Sequence, residues 1–484
     1  MSACAVDVDE RAQVASAAPR AQEAGACCGC LCADARWSCS ADTCTDVEGA
    51  VLSLAPEAGF LEVEAGFVDR RAKGRMFYAF QPAEGAPEDK PLMVMLGGGP
   101  FTSVLPLWAA NTAPRTLDPA VTGAALIADT AYPWTRFANL LFIDSPFAGF
   151  SYVVEGSAAP GWGEVDLIGE AAAFTSMLMR FLAHHPQLER NRIILVGESY
   201  GGLRANHMLT QLLRYRALRS DGTPYGAALS AEIERHLVRA IGPVPFGGFT
   251  PQQIGRHLGQ VQIQGIPAPI TPIGRARTAI SDARANDQVD RLLQMTEALL
   301  QPEALRGLTG VAVETIAWMG SEARMAEGLE VFESLGFDTD VRTYEQTLAS
   351  EAAFSEVFGP IPLGFPQVYL RPYVRVLLDF NVGDPFARFA DALRWVPTFI
   401  TNAADDATVS SDALIARLPS LPGVRSATRR RVDTRLDQVA VSFTDGASRT
   451  VHLPRYANSG HAVSMFEAEL LADDLARWLA QPIP

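Results

Sequence analysis

Nothing in this chain limits its fold as sharply as a glycine-flanked serine, Gly197-Glu198-Ser199-Tyr200-Gly201-Gly202. It lies between the apolar run Arg192 to Val196 and a stretch of helical spacing from Tyr200 to Leu218. A short apolar run without alternation fits a strand buried on both faces, as in a parallel sheet. The serine then falls on a tight strand-to-helix turn, where side chains on the flanking residues would meet neighbouring backbone, so glycines stand there. Such a turn exposes the hydroxyl and aims the positive end of the following helix at charge forming on a bound molecule.

Two further runs have the same character. Leu92 to Leu96 ends in Gly97-Gly98-Gly99-Pro100, and Asn139 to Asp144 ends in Ser145-Pro146. Helical spacing from Asp166 to His184 lies between strands, so strand and helix alternate as in a doubly wound α/β sheet. Before these, Phe60 to Val68 and Arg75 to Gln81 read as a β-hairpin. A further strand is expected at His236 to Ile241. The interval 243–384 reads mostly as helix and loop (Asp287 to Leu300, Glu314 to Leu335, Tyr344 to Val357) and is expected to be an insertion or lid. The sheet resumes at Trp395 to Thr401. Strands at Arg425 to Thr434, Gln438 to Phe443 and Arg449 to Pro454 then precede a helix from Ser464 to Ala480. At 484 residues the chain exceeds the roughly 250–300 that one core supports. The expected division is therefore a tail at 1–56, a catalytic domain at 57–242 and 385–484, and the insertion between.

A net charge of −15 repels phosphate backbones and anionic surfaces, so neither nucleic acid nor a membrane is an expected partner. The cluster Arg429-Arg430-Arg431 reads as a solvated strand face. No apolar stretch reaches the roughly 18 residues of a membrane span. The N-terminus lacks the apolar region of a secretory signal, which makes the chain as written look cytoplasmic. All seven cysteines lie within the first 44 residues (Cys4, Cys27, Cys28, Cys30, Cys32, Cys39, Cys44). A disordered or processed tail, a disulfide knot and a soft-metal site are the readings of that cluster, in that order. Oligomeric state is not fixed by anything in the sequence.

A serine hydroxyl is a weak nucleophile until a base takes its proton, and in folds with this elbow the order is serine, acid, histidine. His452 alternates within a strand, whereas His461 lies in the loop Asn458-Ser459-Gly460-His461-Ala462 between the last strand and the last helix, where the base belongs. The acid should follow the preceding core strand, at Asp405 or Asp406, and spacing alone does not choose between the two. The backbone N–H groups of Gly99, in the glycine run after the first core strand, and of Tyr200, after the nucleophile, are the expected oxyanion site.

With these segments in place, the chain resembles the serine carboxypeptidases, members of the α/β-hydrolase superfamily. Residues 197–202 are similar to that family's nucleophile motif, and Asn139 to Pro146 with Gly149-Phe150-Ser151-Tyr152 to its core-strand signature. Pro91 to Pro100 is similar to its glycine loop, and Ser459 to Val463 to its histidine segment. The resemblance covers roughly residues 57–484, and Ser199 to Arg204 looks closer to bacterial members. It implies Ser199, Asp406 and His461 as catalytic residues, no metal or cofactor, release of C-terminal residues from peptides at acidic pH, and export from the cell. In the family an Asn before paired glycines, a Glu about fourteen residues beyond and the Glu before the nucleophile bind the peptide carboxylate. Here those places fall on Gly97, Asn111 and Glu198, with Gly98 in the paired-glycine position. Only Glu198 keeps the family's residue, and each lost interaction weakens carboxylate capture by about 1–3 kcal/mol. Thr102 replaces a family cysteine, and the Pro146 to Gly149 loop is one residue short. Esterase or acyltransferase activity is the first alternative, and a silent binding protein on the same scaffold the second.

Overall fold

The computed structural model describes residues 37–40, 43–46, 54–63, 74–98, 104–117, 127–145, 151–153, 167–215, 227–243, 248–268, 384–404, 406 and 409–482. The strands among them, in chain order, begin with β1 (Trp37–Ser40), β2 (Thr43–Asp46), β3 (Glu57–Val63), β4 (Gly74–Gln81) and β5 (Leu92–Leu96). They continue with β6 (Arg115–Leu117), β7 (Ile127–Asp129), β8 (Asn139–Ile143), β9 (Tyr152–Val153), β10 (Ile193–Glu198) and β11 (Leu258–Ile263). The series closes with β12 (Thr398–Ile400), β13 (Asn402–Ala403), β14 (Val424–Arg431), β15 (Leu436–Phe443) and β16 (Ser448–Tyr456).

One large sheet runs in the order β14-β15-β16-β12-β11-β10-β5-β8-β4-β3, with β13 beside β16 and β9 beside β4. From β16 to β8 every neighbouring pair is parallel. Both flanks, β14-β15-β16 and β8-β4-β3, are antiparallel. The chemistry of the strands follows this division. The central strands β5 (Leu-Met-Val-Met-Leu) and β8 (Asn-Leu-Leu-Phe-Ile) are buried along their whole length, and full burial of such an aliphatic side chain contributes about 1.5–3 kcal/mol. The flank strand β14 is exposed along nearly all of its length.

Helices cover both faces. Helix Leu167–His184 and helix Gly201–Arg214 share one core with Leu92, Val94, Leu96 and Leu195. Helix Ala468–Leu479 lies in the opposite core with Met93, Met95, Ile194 and Val196. The alternation of β5, β8 and β10 side chains between the two cores is the period of two of a strand sandwiched on both faces. This is the α/β-hydrolase architecture expected from the sequence.

Two expectations are corrected. His236 to Ile241 is not a strand but the end of helix Ala227–Ile241. Its buried positions Leu229, Ile233, His236 and Leu237 are spaced by four, three and one, the repeat of a helix face. The interval 243–384 is not wholly an insertion, because it contains helix Pro251–His257 and β11, and β11 lies in the middle of the sheet between β10 and β12. The helices expected at Asp287 to Leu300, Glu314 to Leu335 and Tyr344 to Val357 lie outside the described residues. In the cysteine-rich tail, β1 and β2 form an antiparallel hairpin in which Cys39 stands opposite Cys44; the other cysteines lie outside the described residues. Among the described residues no helix is long and apolar enough to cross a membrane.

Candidate active site

In open sheets of this kind, ligand-binding groups gather at the carboxyl ends of the parallel strands. The parallel strands end here at Leu96, Ile143, Glu198, Ile263, Ile400 and Tyr456. Each is followed within a few residues by a group singled out in the sequence or by one that touches such a group.

The elbow begins where β10 ends. Ser199 has φ +50°, the left-handed region that non-glycine residues rarely occupy, at a cost of about 1–2 kcal/mol. Three backbone hydrogen bonds hold it there. Its N–H donates to the Ile263 carbonyl at 3.2 Å, and its own carbonyl accepts from Gly202 N–H at 3.0 Å and Ile266 N–H at 2.8 Å. The glycines are required by close approach rather than flexibility. A Cβ on Gly201 would lie 2.1 Å from the Leu96 carbonyl oxygen, and one on Gly197 would lie 2.5 Å from the Gly201 carbonyl oxygen. Helix Gly201–Arg214 starts directly after Tyr200, so the Tyr200 N–H lies at the electropositive end of that helix.

The glycine loop after β5 lies against this elbow. A Cβ on Gly98 would come within 2.8 Å of Ser199 Cβ and 3.5 Å of Ser199 Oγ. Gly97 is held from below by Arg204, whose Nη1 donates to the Gly97 carbonyl at 2.6 Å. Arg204 is fully buried, donates through Nη2 to Glu170 Oε1 at 2.9 Å, and stands 4.9 Å from the centre of the Tyr200 ring. Gly99, the other expected oxyanion donor, lies outside the described residues.

The acid and the histidine singled out in the sequence lie side by side. Beyond β12, the short strand β13 continues the parallel pairing with the end of β16, and Ala404 N–H donates to the Tyr456 carbonyl at 2.9 Å. These contacts bring the turn after β12 alongside the loop after β16. There His461 Nδ1 and Asp406 Oδ2 are 2.9 Å apart. The Asp406 side chain is wholly buried, whereas that of His461 keeps 26% of its surface. Asp406 Oδ2 also accepts from Gln264 Nε2 at 2.7 Å, and Oδ1 accepts from Val409 N–H at 3.0 Å. Asp405 lies outside the described residues.

The electrostatics follow from these contacts. Burial pushes the Asp406 carboxyl up, but the charge and hydrogen bond of His461, with the Val409 and Gln264 donors, outweigh it and hold the group below its ordinary value. Burial pushes the His461 imidazole down, but Asp406 and, more weakly, Glu198 outweigh it and raise the ring above its ordinary value. Glu198 is raised, first by burial and then by Asp406, against the pull of His461. Glu198 thus responds to both members of the Asp406–His461 pair. Asn111 Nδ2 donates to the Ser464 carbonyl at 3.4 Å, three residues past His461, and its backbone is left-handed at φ +61°. His452 is a strand residue in β16, opposite Gln438 of β15.

Gln264 was not singled out in the sequence, because β11 lay in the interval taken for an insertion. The signal available was the alternation Gln260-Val261-Gln262-Ile263-Gln264, which has the period of two of a strand.

Comparison with known proteins bears on the first half of this site. Residues 56–221 match the family model described as serine carboxypeptidase. Serine carboxypeptidase-like 11 of Arabidopsis thaliana is 32% identical over 147 residues, covering 29% of this chain and 33% of that protein. Serine carboxypeptidase-like 8 of the same plant is 33% identical over 147 residues, with the same shares. The match therefore spans about a third of the length of these curated relatives. Both are plant proteins and lend no support to a particular closeness to bacterial members. Among solved structures, the prohormone-processing carboxypeptidase Kex1 of Saccharomyces cerevisiae superposes with a TM-score of 0.47 at 13% identity, covering 88% of this chain and 91% of that one. A proline iminopeptidase of Mycobacterium smegmatis gives 0.36 at 13% identity, covering 87% and 97%. The fold assignment rests on the strand order and the elbow rather than on these likenesses, and residues 56–221 carry the similarity to serine carboxypeptidases.

Proposed function

We propose that this chain is a serine hydrolase working through an acyl-enzyme, and that it acts as a serine-type carboxypeptidase. The observation that carries the reading is the 2.9 Å bond between His461 Nδ1 and the wholly buried carboxylate of Asp406, at the same strand ends as the strained elbow of Ser199. Ser199 Oγ attacks the substrate carbonyl carbon while His461 Nε2 takes the hydroxyl proton. Asp406 holds the ring in the tautomer with its proton on Nδ1 and stabilises the imidazolium that forms. The carbonyl oxygen, now negative, is received by the N–H groups of Tyr200 and Gly99. Collapse breaks the acyl–nitrogen bond, and His461 returns the proton to the leaving amine. Water then repeats the sequence to release the acid and restore Ser199.

The similarity of residues 56–221 to serine carboxypeptidases supports a peptide with a free C-terminus as substrate. Glu198, whose carboxyl is shifted toward its neutral form, is suited to donate a hydrogen bond to that terminus. Ester hydrolysis or acyl transfer is the second reading. It is favoured by Gly97, which has no side-chain donor, and by Asn111, whose amide is engaged by Ser464. Closeness of Ser199 to Arg204 to bacterial members is also part of the proposal. Incubation with an N-blocked dipeptide, its C-terminal amide and a simple ester tests the choice. Cleavage of the free acid in clear preference to the other two is expected, and equal or better turnover of the ester would turn the assignment to esterase.

A further inference from the structure

The buried amide of Gln264 faces the candidate acid from the first turn after β11, and the same turn grips the backbone of Ser199. Ile263 O accepts the Ser199 N–H at 3.2 Å, and Ile266 N–H donates to the Ser199 carbonyl at 2.8 Å. Between these two contacts Gln264 is held left-handed at φ +45° and is completely buried. Its own N–H donates to Thr401 Oγ1 at 2.8 Å. Its Oε1 accepts from Ala403 N–H at 3.0 Å and from Thr401 Oγ1 at 3.1 Å. Because a backbone N–H can only donate, the Ala403 contact fixes which end of the carboxamide is oxygen. The nitrogen must therefore face Asp406 Oδ2 at 2.7 Å and the Val409 carbonyl at 3.3 Å.

We infer that Gln264 is a positioning residue: the turn Ile263 to Ile266 fixes the nucleophile's backbone and the acid's carboxylate relative to each other, with the Gln264 amide selecting the ionised, correctly rotated Asp406. The inference rests on the triad reading above and extends it to a residue in a different segment of the chain. Asp406 Oδ2 accepts from both Gln264 Nε2 and His461 Nδ1, so its lone pairs are aimed at the ring and cannot rotate toward Val409 without losing both bonds. A proton on Asp406 Oδ2 would face the Gln264 or His461 donor, and one on Oδ1 would face the Val409 N–H. The amide thereby withdraws negative charge from the side of the carboxylate that His461 faces, which lowers the proton affinity of the ring. The other carboxylate acting on His461 among the described residues is Glu198, on β10.

Two near-isosteric variants test this through the pH profile of Ser199 labelling by a fluorophosphonate. Gln264→Met removes the donor and keeps the shape. Its labelling rate should fall at least about tenfold, and the midpoint of its acid limb should move to higher pH, because an Asp406 without the amide binds the imidazolium more tightly. Gln264→Glu makes the donor titratable. This variant should label near the wild-type rate while the introduced carboxyl is neutral, and should gain a fall on the alkaline side as that carboxyl ionises beside Asp406. If Gln264→Met fails to fold, the new alkaline fall in Gln264→Glu decides alone. Variants that fold as the wild type with its rate and profile would overturn the inference. So would slower labelling with neither pH change, which would leave Gln264 a packing residue only. Absence of labelling in the wild type would instead reject the hydrolase reading, and this inference with it.

Discussion

Replacing Asp406 by Asn changes one atom and tests whether the carboxylate does more than fill space. In the native arrangement Oδ2 accepts from His461 Nδ1 and Gln264 Nε2, and Oδ1 accepts from Val409 N–H. An Asn at this place has one acceptor and one donor, and neither orientation satisfies all three partners. With its oxygen toward His461, the amide nitrogen faces the Val409 N–H, donor against donor. With its nitrogen toward His461, the ring must accept at Nδ1 and so carries its proton on Nε2, where the base function toward Ser199 is lost. The same tautomer inversion in a serine protease triad lowers kcat by about 10⁴-fold, equivalent to about 5.5 kcal/mol at 1.36 kcal/mol per decade. The rate of Ser199 acylation by an activated ester, measured under single-turnover conditions, should fall by about that factor. The loss of the negative charge should also move the acid limb downward, since Asp406 is what raises the His461 imidazole. A folded Asp406→Asn protein that acylates within about tenfold of wild type would refute the assignment of Asp406 as the orienting acid.

The pH dependence of catalysis carries its own signs. Because the His461 imidazole is raised, the neutral ring needed as base forms only above the ordinary value of about 6.5, so ester turnover should climb with pH through that region. Affinity for a free-acid peptide, read as 1/KM, should fall as pH rises and Glu198, its proton held more tightly because of burial, ionises. Glu198→Gln should remove that fall and shift the acid limb to lower pH, because a negative charge near His461 is lost; steady-state profiles on both substrates check this. In stability the two groups act oppositely. The contribution of His461 is present at low pH and lost as pH rises through its raised folded value. That of Asp406 is lost as pH falls through its lowered one. Arg204→Leu should destabilise by about 3–5 kcal/mol in denaturant unfolding, since it strands the buried Glu170 and releases the Gly97 carbonyl; Arg204→Leu with Glu170→Leu should recover much of the stability but not the acylation rate. Gly98→Ala should slow acylation sharply and also lower the thermal unfolding temperature, because the added methyl would lie 2.8 Å from Ser199 Cβ and the backbone on one side must move.

What could be read in the sequence and what could not divide along physical lines. The strands β5, β8 and β10 were legible because a parallel strand buried on both faces is a continuous apolar run ended by glycine or a polar break. The elbow was legible because close backbone approach at Gly197 and Gly201 admits no side chain. The strand β11 also has a parallel neighbour on each side, β10 and β12, but was hidden by its glutamines. Gln260 and Gln262 are buried and linked with Thr398 in a row: Gln262 Nε2 donates to Gln260 Oε1 at 3.3 Å, and Gln260 Nε2 to Thr398 Oγ1 at 2.9 Å. A hydrogen-bonded row of this kind makes a central strand look like a polar segment. His236 to Ile241 misled in the opposite direction, since six residues are too few to separate a helix end from a strand. The arginines of β14 are exposed as expected but not merely solvated. Arg429 Nε and Arg431 Nε donate to the buried Asp437 at 2.7 and 2.6 Å, a pairing that depends on the strand register and is invisible in composition. The choice between Asp405 and Asp406 needed the family resemblance, because adjacent carboxylates on a turn are equivalent until the partner loop is in place.

The most direct measurement is mass-spectrometric mapping of the covalent adduct formed when the intact protein meets a fluorophosphonate, run beside Ser199→Ala and His461→Ala. A single phosphonylated site at Ser199, absent in the first variant and formed far more slowly in the second, is the predicted result. An adduct on another residue, or one that forms at the same rate without His461, would contradict the nucleophile and base assigned here.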